Sequence, residues 1–526
     1  MSALIGLPWR LVRRGSLLLC LAGALYALVE VVSYEQTYPD QQSRQQLASL
    51  ADSPAVRALQ GVPRAVDTTG GFVVWDAGWF LALVVAVWAL LATTRLLRAE
   101  EDSGRAELVL ARPVAPARLL LVQVGVLLAI VTAYGAAVAL ALLLLGLPLV
   151  GSLLLGAGLA GVGATSVGTG ALAAQLFDVR RRAIGAGSLL LGLTFVLRML
   201  GNRDDGSAWL LHLTPFGWLD RLEPFATDRW PRLLPLLLAP AVLVALAVAE
   251  RGRRDDGAAR LAGRDKRRPR LALLSSQLGF AWRLGAGVLT AWAVGCALLG
   301  LVMGSLVGAV VDLLETDEDY RRTLEELGID LSSPVEGFVS LLAISLALAF
   351  ALQAVWRVGA LRAEEGSGRL DHLLVRPLRR STWLATGAGL TVLGGTLTAL
   401  AAGVGIWVGS ALTSAGLSAG QAIWPLLATV PVVVVFAGLT VLVLGAAPRL
   451  TVGVPLGLAV AAYLLDLVGP LLDLPGAVLG LSPFHWLPRP PDDAFAPASA
   501  GSLVLIGIAS SAVGAVLLSR RDITPD

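Results

Sequence analysis

Residues 98–118, RAEEDSGRAELVLARPVAPAR, return as RAEEGSGRLDHLLVRPLRRST at residues 362–382. Ten positions carry the same residue type 264 positions later, without a gap. Each copy is the most charged part of its neighbourhood, and long apolar runs flank it on both sides. The chain is therefore predicted to be a duplication in which a polar element is held twice at a membrane surface.

The composition is typical of a polytopic membrane protein. Of 526 residues, 56% are hydrophobic and 15% are charged, and the mean hydropathy is +0.75. A spanning helix needs about 20 mostly apolar residues to cross a hydrocarbon core of roughly 30 Å. The apolar runs predict an all-α fold with twelve spans, at approximately 15–33, 72–95, 118–145, 150–176, 183–200, 232–249, 284–311, 337–358, 383–410, 421–446, 451–470 and 499–519.

The spans divide into two homologous six-helix halves, which we expect to be related by a pseudo-twofold axis. The first half is predicted at 1–249 and the second at 279–526, joined by a basic cytoplasmic linker at 250–278. A second repeat supports the duplication, because LTPFGW at 213–218 recurs as LSPFHW at 481–486, an offset of 268.

Arginine collects on one side of the predicted spans, together with both repeated stretches. Cytoplasmic loops carry such an excess, so this arginine-rich side is predicted to be cytoplasmic and to hold both termini. The first apolar run also imitates a signal peptide. Trp282-Arg283-Leu284 before the second half's first run echoes Trp9-Arg10-Leu11, an offset of 273, and favours a retained first helix.

The sequence offers no site for catalysis, a cofactor or a metal. The lone lysine, Lys266, stands outside any Gly-Lys-Ser/Thr phosphate loop, so nucleotide hydrolysis must come from another polypeptide. Cys20 and Cys296 lie within apolar runs without further ligands, and the three histidines are isolated. The net charge of +3, concentrated beside apolar spans, predicts no nucleic-acid partner.

The repeated stretch is predicted to form a short helix that makes a mechanical contact. Glu101 and Arg105 have the i, i+4 spacing that supports a helix, Gly104 permits a bend at its start, and Pro113 ends it. Acidic residues contribute little to topology, so the repetition of the glutamates needs another explanation. The second copy repeats these features at Glu365, Arg369, Gly368 and Pro377.

The pattern Glu-x-x-Gly-x-x-Glu-Leu-x-Leu-x-x-Pro at 101–113 resembles the ABC-2 type permeases, the membrane subunits of a class of ATP-binding-cassette exporters. Two fused six-span halves with a basic linker are most similar to the bacterial permeases that export polyketide antibiotics and other drugs. The resemblance implies a multi-pass protein of the bacterial plasma membrane that is itself not an enzyme.

By this resemblance, residues 99–113 and 363–377 are coupling helices that dock on two copies of a cytoplasmic P-loop ATPase. ATP and Mg would bind to that partner and no cofactor to this chain. Reversing a repeated glutamate is expected to uncouple ATP use from transport with the fold intact. The expected coupling residues are Glu100, Glu101, Gly104, Arg105, Glu107, Arg112, Glu364, Glu365, Gly368, Arg369, Asp371 and Arg376.

The second copy departs from the first where Asp371-His372 replaces Glu107-Leu108. Whether the two ATPase contacts are equivalent is therefore left open.

The predicted function is export of a lipophilic, drug-like or antibiotic-like compound by an ATP-driven permease subunit. A proton-coupled secondary multidrug transporter is the alternative, and it predicts a basic Asp-Arg-x-Gly-Arg type loop and buried carboxylates in the spans. A membrane-embedded enzyme or a structural scaffold is a third reading, which would need His, Asp or Glu clustered at one membrane depth.

Two opposite charges occupy equivalent positions in the fifth and eleventh spans. With the offset of 268, Arg198 corresponds to Asp466. An unpaired charge in lipid costs a few kcal/mol, so we expect these residues to pair across the interface between the halves. The alternative is that each reaches the outer surface separately.

Overall fold

The computed structural model describes residues 2–51, 54–111, 113–255, 259–261, 273–316, 334–375, 379–413, 416–469, 474–488 and 497–522. Over these residues the protein is helical and contains no strand. The chain divides into two compact units, Met1–Arg267 and Arg268–Asp526, and the division lies inside the predicted linker.

The first unit contains twelve α-helices within its described residues, together with a π-helical turn at Arg95–Ala99 and 3-10 segments at Asp205–Leu213 and Trp230–Leu233. The α-helices are α1 Ser2–Thr37, α2 Gln41–Ala51, α3 Pro54–Gln60, α4 Thr69–Asp76, α5 Gly78–Thr94, α6 Glu100–Asp102, α7 Arg105–Leu110, α8 Pro116–Leu144, α9 Leu149–Leu176, α10 Arg180–Arg203, α11 Pro215–Asp220 and α12 Leu234–Arg253.

The described part of the second unit adds nine α-helices, with 3-10 segments at Pro448–Leu450 and Pro483–Trp486. They are α13 Gln277–Thr316, α14 Pro334–Gly366, α15 Arg369–Leu374, α16 Arg380–Leu412, α17 Ala419–Leu427, α18 Val430–Ala446, α19 Gly453–Val468, α20 Gly476–Leu479 and α21 Pro497–Arg520.

The prediction of a polytopic all-α membrane protein is confirmed. In the described residues, 11 helices are long and apolar enough to cross a membrane, and they coincide with eleven of the predicted spans. The run predicted at 451–470 forms α19, which has 16 residues and a length of about 24 Å. The helix covers only residues 453–468 of that run, and the 3-10 turn at Pro448–Leu450 lies before it.

A glycine and a proline form the turn between the two long apolar helices α8 and α9. Gly146 takes a φ of +81° between α8 and α9, a conformation that side chains with a Cβ rarely adopt. Pro148 then immediately precedes α9, where its missing N–H costs no helical hydrogen bond. The predicted division of the uncharged run at 119–177 into two helices is confirmed.

Glycine allows the long helices to pack with their backbones in contact. In the first unit, α9 packs against α5, α8 and α12, and a Cβ on Gly135 of α8 would lie 2.1 Å from the carbonyl oxygen of Gly156 on α9. In the second unit, a Cβ on Gly438 of α18 would lie 2.1 Å from the carbonyl oxygen of Gly507 on α21. Such close approach is typical of helix pairs in membranes.

We expect Gly135→Ala to lower the melting temperature of the detergent-purified protein, because the added methyl group forces α8 and α9 apart. Gly125→Ala on the same helix is the matched control, since a Cβ there meets nothing within 4 Å. The control should be neutral or slightly stabilising, because alanine favours a helix over glycine. Equal melting temperatures for the two variants would contradict the close α8–α9 contact.

Candidate functional site

Each repeated stretch begins as the end of a membrane span. After α5 the chain continues through the π-helical turn into α6, so that the span reaches Asp102. Gly104 then takes a φ of +73° before α7. In the second unit α14 ends at Gly366, and Gly368 takes a φ of +70° before α15. The predicted bends at the two glycines are confirmed.

Glu101 lies in a buried ion cluster. Its carboxylate accepts hydrogen bonds from Arg98 Nη1 at 2.9 Å and from Arg254 Nη2 at 2.8 Å, and Arg251 Nη1 lies 3.6 Å away. The side chains of Glu101 and Arg254 are only 8% and 9% exposed. A buried carboxylate needs such partners, because removing one member of a buried pair costs several kcal/mol.

Glu365 repeats this arrangement in the second unit and is fully buried. Its carboxylate pairs with both terminal nitrogens of Arg521, with Nη1 at 2.6 Å and Nη2 at 2.8 Å. Arg362, three residues earlier, places Nη1 at 3.4 Å. Both repeated glutamates are therefore buried and paired with arginine, one in each compact unit.

The partner arginine occupies the same place in both clusters. Arg254 directly follows the last residue of α12, and Arg521 directly follows the last residue of α21. Each arginine also holds the fourth span of its half: Arg254 donates through Nε and Nη2 to Gln175 Oε1 on α9 at 3.0 and 2.8 Å, and Arg521 Nη2 donates to the Leu444 carbonyl oxygen on α18 at 3.3 Å. We call the Glu101–Arg254 and Glu365–Arg521 pairs the glutamate clamps.

The ion pairs predicted within each repeated stretch are wrong. Arg105 donates through Nε and Nη2 to both carboxylate oxygens of Glu100, at 2.9 Å each, and not to Glu101. These bonds raise the pKa of Arg105 above its usual range. In the second copy, Arg369 Nε donates to Ser367 Oγ at 2.9 Å. The cause is the turn at each glycine, which interrupts the helix on which i, i+4 pairing depends.

Each stretch nevertheless presents an exposed face. On α7 the side chain of Leu108 is 76% exposed, and Glu107 beside it is also exposed. Directly after α15, Val375 is 88% exposed, and Asp371 and His372 are exposed on the helix. These two groups are called the exposed faces below.

Three predicted coupling residues remain, one with a contact in the structure and two outside the described residues. Glu364 accepts a hydrogen bond from Trp383 Nε1 at 3.2 Å. Arg112 and Arg376 lie outside the described residues.

Arg198 and Asp466 each have a partner in their own unit. Arg198 is 1% exposed and donates through Nε to Asp220 Oδ2 at 2.7 Å, and its other nitrogens donate to two carbonyl oxygens at the end of α3. Asp466 Oδ1 lies 3.5 Å from His485 Nδ1. The assumption that each charge lacks a partner within its own half is wrong. That Arg198 pairs with Asp466 across the two halves therefore stays a prediction, but the cost of an unpaired charge no longer supports it.

Known proteins resemble the chain along nearly its whole length. A family model described as multidrug efflux system permease Rv1217c, C-terminal domain, matches residues 1–250 and 274–518. The multidrug efflux system permease protein Rv1217c of Mycobacterium tuberculosis (strain ATCC 25618 / H37Rv) is 34% identical over 504 residues, which cover 94% of this chain and 90% of the relative. The chain belongs to the multidrug efflux permease family. Its two matched ranges leave out residues 251–273, which lie inside the predicted linker.

Metal ligation has no visible basis in the part of the permease that the structure describes. There, no group of three or more His, Cys, Asp or Glu side chains converges in a way that would hold a metal ion. Cys20 and Cys296 are free thiols on different helices, α1 and α13.

Sequence reasoning missed the arginines of the clamps, although a signal was present. Arg254 and Arg521 each stand just beyond the last apolar run of their half, 267 positions apart. That spacing agrees with the offset of the repeated stretches to within three residues.

We expect Glu101→Gln to lower the free energy of unfolding of the permease by about 3–5 kcal/mol, because it leaves buried arginines uncompensated. Thermal unfolding in detergent measures this change. Glu107→Gln is the matched control at an exposed position of the same stretch and should stay within about 0.5 kcal/mol of wild type. Equal stability of the two variants would contradict the buried clamp. The expectation that reversal of Glu101 leaves the fold intact does not agree with this burial.

Proposed function

We propose that this permease is the membrane subunit of an ATP-driven exporter that moves a lipophilic, drug-like compound out of the cell. Two copies of a separate cytoplasmic P-loop ATPase dock on the exposed faces and hydrolyse the ATP. The protein lies in the bacterial plasma membrane with both termini and the exposed faces in the cytoplasm.

The observation that carries this proposal is the repeated exposed face on a fixed support. Leu108 and Val375 project from the arginine-rich side beyond the ends of their spans. Exposed apolar side chains ringed by charged ones are typical of protein contacts. The clamps fix the backbone that carries each exposed face. Movement of a face would therefore be transmitted through the clamp arginines to the helices that they contact.

The sequence favours an energy source on another chain. Lys266, the sole lysine, follows Asp265 and precedes Arg267, whereas a P-loop lysine follows glycine and precedes serine or threonine. ATP and Mg are therefore assigned to the partner ATPase.

A lipophilic cargo is supported by the relative and by a pocket on the first unit. The relative's name describes multidrug efflux. A cavity of about 550 Å³ between α9, α10 and α12 has mostly apolar walls, with the hydroxyl groups of Thr165, Thr169 and Thr194 among them. Its size falls within the range of small-molecule sites.

We expect the double variant Leu108→Arg/Val375→Arg to lose its ATPase. When the permease is purified from its own cells in mild detergent, the amount of co-purifying P-loop ATPase should fall at least about tenfold, as expected when central apolar contacts are lost. Quantitative mass spectrometry measures the ratio of the two proteins, and the melting temperature of the permease should not change.

Asp67→Arg is the control. Asp67 is exposed and lies just before α4, near the end of α5 that is opposite to the repeated stretch. It should keep both ATPase capture and ATP-dependent transport. A wild-type permease that captures no ATPase and transports in proteoliposomes with only a proton gradient would contradict the proposal and favour the secondary transporter.

A further inference from the structure

A cavity of about 420 Å³ lies beside the repeated stretch of the first unit. Its walls come from the start of α1, the turn after α5 and the start of α8, and leucine side chains form much of them. Glu100, Arg105 and Gln123 add polar groups, and the clamp residues Glu101 and Arg254 also line it. The cavity therefore offers apolar walls and a carboxylate at the same place.

The second unit contains the equivalent site, but only about 20 Å³ of it is open. The third spans start at equivalent positions, Pro116 and Arg380, which are 264 apart. The first spans correspond through the offset of 273 set by Trp9 and Trp282. With these offsets the lining residues pair across the two sites, among them Leu11 with Leu284, Leu97 with Leu361, and Glu100 with Glu364.

The side chain of Trp383 lies within the second site, which Phe280 and Arg357 also line. Trp383 occupies the position of Leu119 and is 2% exposed. Its indole ring packs among the lining residues, and Nε1 donates a hydrogen bond to Glu364 Oε2 at 3.2 Å. The site of the second unit therefore holds an aromatic ring with an N–H donor, whereas the equivalent site of the first unit is open.

The arginine of the stretch differs between the open and the filled site. In the first unit Arg105 holds Glu100 through two hydrogen bonds, and its side chain is 61% exposed. In the second unit the equivalent Arg369 donates to Ser367, and Glu364 accepts from the indole. Because the Arg105 side chain is largely exposed, its guanidinium can turn into solvent when a donor inside the first cavity takes its place on Glu100.

We propose that the cavity of the first unit binds a lipophilic aromatic compound that carries an N–H donor. The aromatic ring lies among the leucines beside Leu119, in the place that Trp383 takes in the second unit. The N–H group donates to Glu100, and Arg105 turns away as Arg369 does. Identification of this ligand as cargo rests on the proposed export function, whereas the binding itself requires only the permease.

The test uses 1-aminopyrene, a fluorescent aromatic probe with N–H donors, and 1-(dimethylamino)pyrene, which has none. Fluorescence anisotropy of each probe is titrated with the purified full-length permease in detergent. We expect saturable binding of 1-aminopyrene that is about tenfold tighter than that of the dimethylated probe, the gain expected from one hydrogen bond to a charged acceptor. Glu100→Ala should remove this preference.

Leu119→Trp should fill the cavity and weaken binding of 1-aminopyrene at least about tenfold, because the added ring occupies the ligand's place. Leu121→Trp is the matched control, since Leu121 lies two residues further on α8 and is 50% exposed. The control should bind the probe as wild type does. Trp383→Leu should open the second site and add a second bound probe molecule per chain.

The proposal is overturned if both tryptophan variants of α8 bind the probe as wild type does, because the binding would then be partition into detergent. It is also overturned if 1-aminopyrene and its dimethylated analogue bind equally well to wild type. If Leu119→Trp does not fold, two other measurements decide between these outcomes. One is whether Glu100→Ala loses the preference for 1-aminopyrene, and the other is whether Trp383→Leu binds a second probe molecule. A wild-type permease that captures its ATPase but binds no 1-aminopyrene would refute this site alone. A wild-type permease that binds the probe at this site but captures no ATPase would refute only the proposed function.

Discussion

A carboxylate buried at the end of an apolar helix must be paired, and this constraint organises both halves of the permease. Glu101 and Glu365 are each buried and each held by the arginine that directly follows the last helix of its unit. The same arginines bind the fourth span of each half, through Gln175 on α9 in one unit and the Leu444 carbonyl oxygen on α18 in the other. Each clamp therefore joins three segments that are far apart in sequence, and it fixes the base from which an exposed face projects.

The duplication has preserved the clamps and changed their surroundings. An open amphiphilic cavity in the first unit corresponds to a nearly closed site in the second, where Trp383 stands in place of Leu119. At the opposite end of the spans, Arg198 pairs with Asp220 in the first unit, whereas the equivalent Asp466 lies beside a histidine in the second. The units thus share the clamps, which we propose transmit force, and differ in the side chains around them.

The sequence predicted the helices well because spanning length and hydrophobicity are local properties. It also pointed to the repeated glutamates, since a repeated acid has no topological explanation. It assigned Glu101 to a docking contact because nothing local reveals that Arg254, 153 positions away, returns to cover it. The exposed Glu101–Arg105 pairing failed for a similar reason, because the turn at Gly104 breaks the periodicity on which it relied. The filled second cavity was equally invisible, since it depends on α13, α14 and α16 meeting around Trp383.

The central claim is that the two clamped stretches present two docking faces for an ATPase. Native mass spectrometry of the intact complex, released from detergent in the gas phase, counts the subunits directly. The account predicts one 54.6 kDa permease chain with two ATPase copies in complexes that export in an ATP-dependent manner. Active complexes that contain no ATPase, or a single copy per permease, would contradict it.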